Sequence, residues 1–212
     1  MIKLYNADRS PNALRVRSVL YELGIEFEKI EIDMRAGDTK KPEFLALNPN
    51  GKVPVLVDGD FVLWESRAID AYLASLKPRR RLYPKDAKER AIVDQWSYWQ
   101  AIHLGPAMQR VSFERVVKKW LGMGEPNEDA IAGALKETDQ YLGVLEGCLG
   151  DKEWIAGRLS IADFALASTF MYRKPARISL AAFPKTDAWI SRMEKRKSWK
   201  QATAPVAELM KG

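Results

Sequence analysis

The stretch Leu47-Asn48-Pro49-Asn50-Gly51-Lys52-Val53-Pro54-Val55-Leu56, with its continuation Leu63-Trp64-Glu65-Ser66-Arg67-Ala68-Ile69, decides how this chain of 212 residues is read. Asn-Pro and Asn-Gly mark a loop. Val53-Pro54 closes it, and an X–Pro bond tolerates the cis form at modest cost. Val55-Leu56-Val57 and Phe61-Val62-Leu63-Trp64 are short apolar runs around Asp58-Gly59, the pattern of a β-hairpin. Ile69, Tyr72, Leu73 and Leu76 then follow at the spacing of an amphipathic helix. Glu65-Ser66 stands at the change from strand to helix, where amides, helix dipole and hydroxyl together favour an anion.

Working outward, Ile2 and Leu4 alternate with polar neighbours as in a strand, and Val16, Val19, Leu20 and Leu23 form the stripe of a helix that Gly24 is placed to end. Phe27, Ile30 and Ile32 suggest a second strand. The order is βαβ, a loop with a short helix, then ββα, which gives one four-stranded sheet flanked by helices in the thioredoxin-like arrangement. Lys77 to Asp86, with Pro78, three arginines and Pro84, reads as a linker. Everything beyond it has helical period. Ile92, Trp96, Trp99 and His103 are spaced for one face of a long helix, with further helices over 127–149 and 160–174 and shorter ones near 185–195 and 198–210. Ser160 and Asp163 are spaced as a capping box, and Leu159 and Phe164 as a hydrophobic staple. The expected fold class is α/β plus all-α: a thioredoxin-like domain over 1–77, a linker over 78–86 and an all-helical domain over 87–212.

Composition narrows the function classes. The net charge is +6, with basic runs at Arg79–Arg81 and from Arg192 to Lys200. A nucleic-acid surface interleaves aromatics with such charge on one face; these runs read as solvated helix faces and a basic linker, and no nucleic-acid partner is expected. The apolar stretches fall short of a bilayer span, so no membrane partner is expected either. The first residues read as a strand and not as a signal peptide. The single cysteine, Cys148, excludes an internal disulfide framework. A cytoplasmic protein is the expectation, and no metal site, since nothing offers ligand spacing.

The pattern Asn48-Pro49-x-Gly51-x-Val53-Pro54, followed by Glu65-Ser66-x-Ala68-Ile69, resembles the N-P-x-G-x-V-P and E-S-x-A-I motifs of the cytosolic glutathione transferase superfamily, and the Ser160–Phe164 helix start resembles that family's capping motif. With the domain order, the resemblance covers nearly the whole chain and points to bacterial, serine-type members of theta/phi-like character. It implies conjugation of glutathione to hydrophobic electrophiles in detoxification, glutathione as co-substrate with no prosthetic group, and a homodimer whose domains pack across subunits. It implies a cis Val53–Pro54 bond that presents the Val53 backbone to the cysteinyl part of glutathione like an added strand. Ser66 and the helix start would take the γ-glutamyl carboxylate, and Glu65 the ammonium. Arg67 would add cationic attraction, though it and Asp70 also read as solvated or structural. For the glycine carboxylate, Lys40, Lys41 and Lys52 are available; where several members carry His in that loop this chain has Thr39.

Activating the thiol is the central chemical problem, because a free thiol with a pKa near ~8.5 is mostly protonated at neutral pH. A hydroxyl that donates to sulfur favours the thiolate, as does the positive end of a helix. Ser10, five residues before Arg15 and just ahead of the first helix, is placed like the serine of serine-type members. Asn12, whose amide also donates, is the rival, and Ser10 also reads as a plain N-cap. No cysteine precedes Cys148, so the mixed-disulfide chemistry of omega-like members has no nucleophile here. The second substrate's pocket, which the family places between its domains, draws on Trp99, His103, Met108, Phe113 and Tyr172, although an aromatic stripe at helical spacing also reads as core. Other readings are a non-catalytic glutathione- or protein-binding member, and a specialised glutathione-dependent isomerase, dehalogenase or disulfide reductase.

Overall fold

The structure, a computed structural model, describes residues 1–211. Its first half contains β1 (Ile2–Asn6), α1 (Pro11–Leu23), β2 (Phe27–Glu31), α2 (Pro42–Leu47), β3 (Val55–Asp58), β4 (Phe61–Trp64) and α3 (Ser66–Leu76). The strands form one mixed sheet in the order β2-β1-β3-β4. β1 runs parallel to β2, with Leu4 opposite Lys29, and antiparallel to β3, where Leu4 faces Leu56; Leu56 in turn faces Leu63 of β4. Burial follows position: Leu4, Val55 and Leu56 on the inner strands are fully buried, whereas the edge strand β4 exposes Phe61, Val62 and Trp64. α1 starts at the Ser10 cap and ends at Gly24, whose φ of 64° is the left-handed conformation that glycine adopts without steric cost. Its buried face carries Leu14, Val16, Val19 and Leu20, and it packs against α3, whose Ile69 and Leu73 are also fully buried. This is the thioredoxin-like arrangement the sequence order implies.

The chain divides into two compact units, and the boundary differs from the sequence expectation. The first unit comprises residues 1–83 together with 197–206. The second comprises 84–196 and, among the described residues, 207–211. The linker region is not uniformly irregular, since Pro78–Arg80 forms a 3-10 turn. Near the carboxyl end, α10 (Lys197–Thr203) joins the first unit because α1 holds it. Arg17 donates to the Ala202 carbonyl at 3.1 and 3.3 Å, and Ser198 Oγ donates to Glu22 at 2.5 Å. The helix expected over 198–210 stops at Thr203 and gives way to a 3-10 turn, Ala204–Val206, around Pro205, whose nitrogen has no proton to donate.

Among the described residues the second unit has only helices and turns. α4 (Ala87–Trp99), α5 (Gly105–Ser112) and α6 (Lys118–Leu121) follow one another through two π-turns, Gln100–Leu104 and Phe113–Val117. α7 (Glu128–Leu149), α8 (Ile161–Thr169) and α9 (Pro184–Lys195) complete it. The single face expected of Ile92, Trp96, Trp99 and His103 is therefore not continuous. Ile92 is 44% exposed and Trp96 only 7%, and the first π-turn shifts the helical phase just before His103. α8 starts at the expected Ser160–Asp163 cap, but the carboxylate does more than cap. It accepts from the amides of Ser160 (2.9 Å) and Ile155 (3.1 Å), from Ser160 Oγ (3.1 Å) and from the Trp189 indole (3.0 Å). Full burial still pushes the Asp163 carboxyl up to about 6, against those bonds.

Candidate active site

Ser10 lies in the turn between β1 and α1. Its backbone is extended, its amide donates to the Ala7 carbonyl at 2.9 Å, and its Oγ accepts from the Ala13 amide at 3.3 Å. Capping consumes an acceptor lone pair and leaves the hydroxyl proton available, so the N-cap role and a donor role are compatible. Asn12 is exposed on the first turn of α1. The turn is held from below by Arg17, which donates to Asn6 Oδ1 (2.5 Å), Ala7 O (3.4 Å) and Asp8 O (3.1 Å). Asn6 Nδ2 donates to Asp8 and Glu31, and Lys29 binds both Asp8 oxygens at 3.0 Å.

The second loop is equally fixed. The Val53–Pro54 peptide is cis. Asn48 braces the approach to it: its Nδ2 donates to the Lys52 carbonyl at 2.7 Å, while its Oδ1 accepts from the Asn50 amide and side chain, both at 3.0 Å. One small apolar cluster, Ala7, Phe44, Val53 and Val55 with Tyr5, Ile32 and Leu47 against it, joins the Ser10 turn to this loop. Of the basic residues before it, Lys41 is tied to Asp38 at 2.7 Å, whereas Lys40 and Lys52 are exposed.

At the start of α3, Glu65 is exposed and adopts φ 71° and ψ 105°, rare for a residue with a side chain. Ser66 is buried and its Oγ accepts from Arg15 Nη1 at 3.2 Å. Arg67 is half-buried, and desolvation lowers its pKa against the pull of Asp70 and Glu65.

In the second unit, Trp99 and His103 are half-buried in an aromatic cluster that includes Trp96 and Tyr141. Trp99 lies 5.1 Å from Trp96, 6.2 Å from His103 and 6.0 Å from Tyr141, and His103 lies 5.3 Å from Tyr141. Phe113 is half-buried at the second π-turn, while Met108 (1% exposed) and Tyr172 (5%) sit in packed interior positions.

Two family profiles match the chain: "Glutathione S-transferase, N-terminal domain" over residues 1–75 and "Glutathione S-transferase, C-terminal domain" over residues 101–197. The chain belongs to the glutathione S-transferase family. Glutathione S-transferase 3 of Zea mays is 35% identical over 97% of this chain and 94% of its own length. Glutathione S-transferase D7 of Drosophila melanogaster is 31% identical over 94% and 88%. A theta class glutathione S-transferase from Xanthomonas axonopodis pv. citri, solved with glutathione bound, superposes with a TM-score of 0.88 at 28% identity, covering 95% of this chain and 96% of that one.

The structure gives three residues of this transferase contacts that the sequence patterns do not show. Asn48 was read only as part of a motif, although an Asx side chain beside Pro and Gly is a signal for loop bracing. Arg15 served to place Ser10, and its buried contact with Ser66 has no local sequence signature. Tyr141 lies on a different helix from the Trp99–His103 stripe, so no spacing connects them.

Proposed function

We propose that this glutathione transferase lowers the thiol pKa of glutathione through the Ser10 hydroxyl and adds the thiolate to a hydrophobic electrophile. The observation that carries the reading is the joining of two loops by one apolar cluster. The Ser10 turn at the positive end of α1 and the Val53–Pro54 loop are both fixed by it. In this reading the Val53 backbone pairs with the cysteinyl part. Ser66 and the α3 amides take the γ-glutamyl carboxylate, Glu65 takes the ammonium with Arg67 nearby, and Lys40 or Lys52 meets the glycine carboxylate. Lys41 is already engaged by Asp38, which favours the other two. Sulfur attacks an electrophilic carbon, where either a π bond opens and its carbanion takes a proton from solvent, or a leaving group such as halide departs with the bonding pair. The thiol proton goes to solvent, and Ser10 donates a hydrogen bond without becoming a nucleophile. Binding both reactants together supplies much of the rate.

The second substrate is read as apolar because the half-buried Trp99, His103 and Phe113 offer aromatic surface. Met108 and Tyr172 enter only as packing behind such a surface. Serine-type character, a cytoplasmic location and a role in detoxification are part of this reading, as the motif resemblance implies. No helix among the described residues is long and apolar enough to cross a membrane.

Titrating the ultraviolet thiolate absorbance of bound glutathione against pH tests the assignment. Wild type should show a thiol pKa lowered by roughly one unit or more from the free value near ~8.5. Ser10→Ala should lose that shift and on the order of 10²-fold in kcat/KM, while Asn12→Ala keeps both. Loss in Asn12→Ala alone would transfer the role to the amide. An unshifted thiol in wild type would reduce the protein to a glutathione binder.

A further inference from the structure

Beneath the start of α3 lies a buried group of charges that thiol chemistry does not use. Arg15, on α1, is 1% exposed and donates through Nη1 to Ser66 Oγ. A hydroxyl that accepts from a guanidinium keeps its own proton for another acceptor and is polarised toward giving it. One helical turn beyond Ser66, Asp70 is also 1% exposed, and neither of its carboxylate oxygens has a hydrogen-bond partner. A buried ionised carboxylate in that condition carries a large desolvation cost. The charges acting on it are Arg15 from α1 and Arg67 from its own helix, while Glu65 acts on both guanidiniums. β4, packed on α3, brings only Phe61, Val62, Leu63 and Trp64. The adjoining Pro78–Arg80 turn brings Arg79 and Arg80, both exposed. Burial pushes the Asp70 carboxyl up to about 8, with Arg15 and Arg67 opposing.

We propose that Asp70 is a proton-linked positioning residue of the anion site at Ser66. Protonated, it lets the Arg15 charge act through Ser66 on a bound carboxylate; ionised, it cancels that charge. The inference rests on the reading that the γ-glutamyl carboxylate docks at Ser66. The sign follows from linkage. A bound carboxylate disfavours a second negative charge nearby, so it raises the Asp70 pKa further, and binding takes up a proton wherever Asp70 is ionised in the empty site. Affinity therefore falls as pH rises through the empty-site value and is flat below it.

S-methylglutathione is the probe, because it has no thiol to ionise. Its binding is measured calorimetrically at pH 7 and pH 9, in two buffers of different ionisation enthalpy, for wild type and Asp70→Asn. Wild type should bind up to about tenfold more weakly at pH 9 and take up protons there. The ligand amine titrates in both proteins and weakens both alike, so Asp70→Asn should lose less affinity than wild type between the two and take up fewer protons. Asp70→Ser, which also removes the ionisable group, replaces the asparagine variant should that fold poorly, and Asp70→Glu should restore the pH dependence. Equal proton uptake and equal pH dependence in wild type and the neutral variants would overturn the role of Asp70 and leave the glutathione site standing. Absence of binding by wild type at either pH would overturn that site and this proposal with it.

Discussion

Glu65 holds a backbone conformation that residues with a side chain rarely adopt, at the position directly before Ser66. Such conformations cost roughly 1–3 kcal/mol and persist where the surroundings enforce them. Glycine there relieves the cost, and its extra unfolded-chain entropy returns only about 0.5–1 kcal/mol. Glu65→Gly is therefore expected to unfold in urea at the wild-type midpoint or above it. Its glutathione affinity should fall about tenfold or more, since a charge-assisted hydrogen bond to the ligand ammonium, worth about 1.5–3 kcal/mol, is lost. A destabilised variant with unchanged affinity would mean that the conformation serves the fold and not the ligand. Val53-Pro54, Glu65-Ser66 and the Ser10 cap were legible because each is a local pattern with its own backbone consequence. The φ of Glu65 and the meeting of Arg15 with Ser66, 51 positions apart, were not, because sequence does not specify which buried polar groups find each other.

Among the elements, those with one dominant period are legible in the sequence. The β3–β4 hairpin spans the expected residues with Gly59 and Asp60 at its turn, and α1 ends at Gly24. The long helix after the linker was harder, because a π-turn inserts a residue without altering composition, and the stripe from Ile92 to His103 was extrapolated at constant phase. Gly105 explains how the first π-turn is accommodated. Its amide bonds the Gln100 carbonyl, and a Cβ built there would lie 2.6 Å from both that oxygen and Gln100 Nε2. The close backbone atom cannot move aside cheaply, so the clash outweighs the gain of about 1 kcal/mol in helix propensity from alanine. Gly105→Ala is expected to lose about 1–3 kcal/mol in urea unfolding. It should also perturb the near-ultraviolet signal of the Trp96–Trp99–His103–Tyr141 cluster next to the turn. Unchanged stability and spectrum would show that the turn relaxes to regular helix at no cost.

At the scale of the whole molecule, the division into a sheet unit and a helical unit followed from the break in period near residue 80, but the membership of the last helix did not. No local pattern separates α10 from the helices before it, and the bonds of Arg17 to Ala202 and of Ser198 to Glu22 reveal its place in the first unit. Assembly is a further question at this scale. Each unit exposes apolar side chains of its own: Phe61, Val62 and Trp64 on the edge strand β4, and Tyr98 near the end of α4 with Ile102 in the π-turn after it, which are 62% and 66% exposed. An edge strand that keeps large apolar residues in water invites association unless something covers it. The dimer that the family resemblance implies would set a second copy of the chain against these surfaces. Sedimentation equilibrium should give wild type twice the chain mass at micromolar concentration. Trp64→Glu and Ile102→Glu should each shift it toward one chain mass, because a carboxylate buried in an apolar interface lacks a partner and costs several kcal/mol. A wild type that sediments as a single chain would remove the dimer. A dimeric wild type that both substitutions leave intact would place the interface on other surfaces.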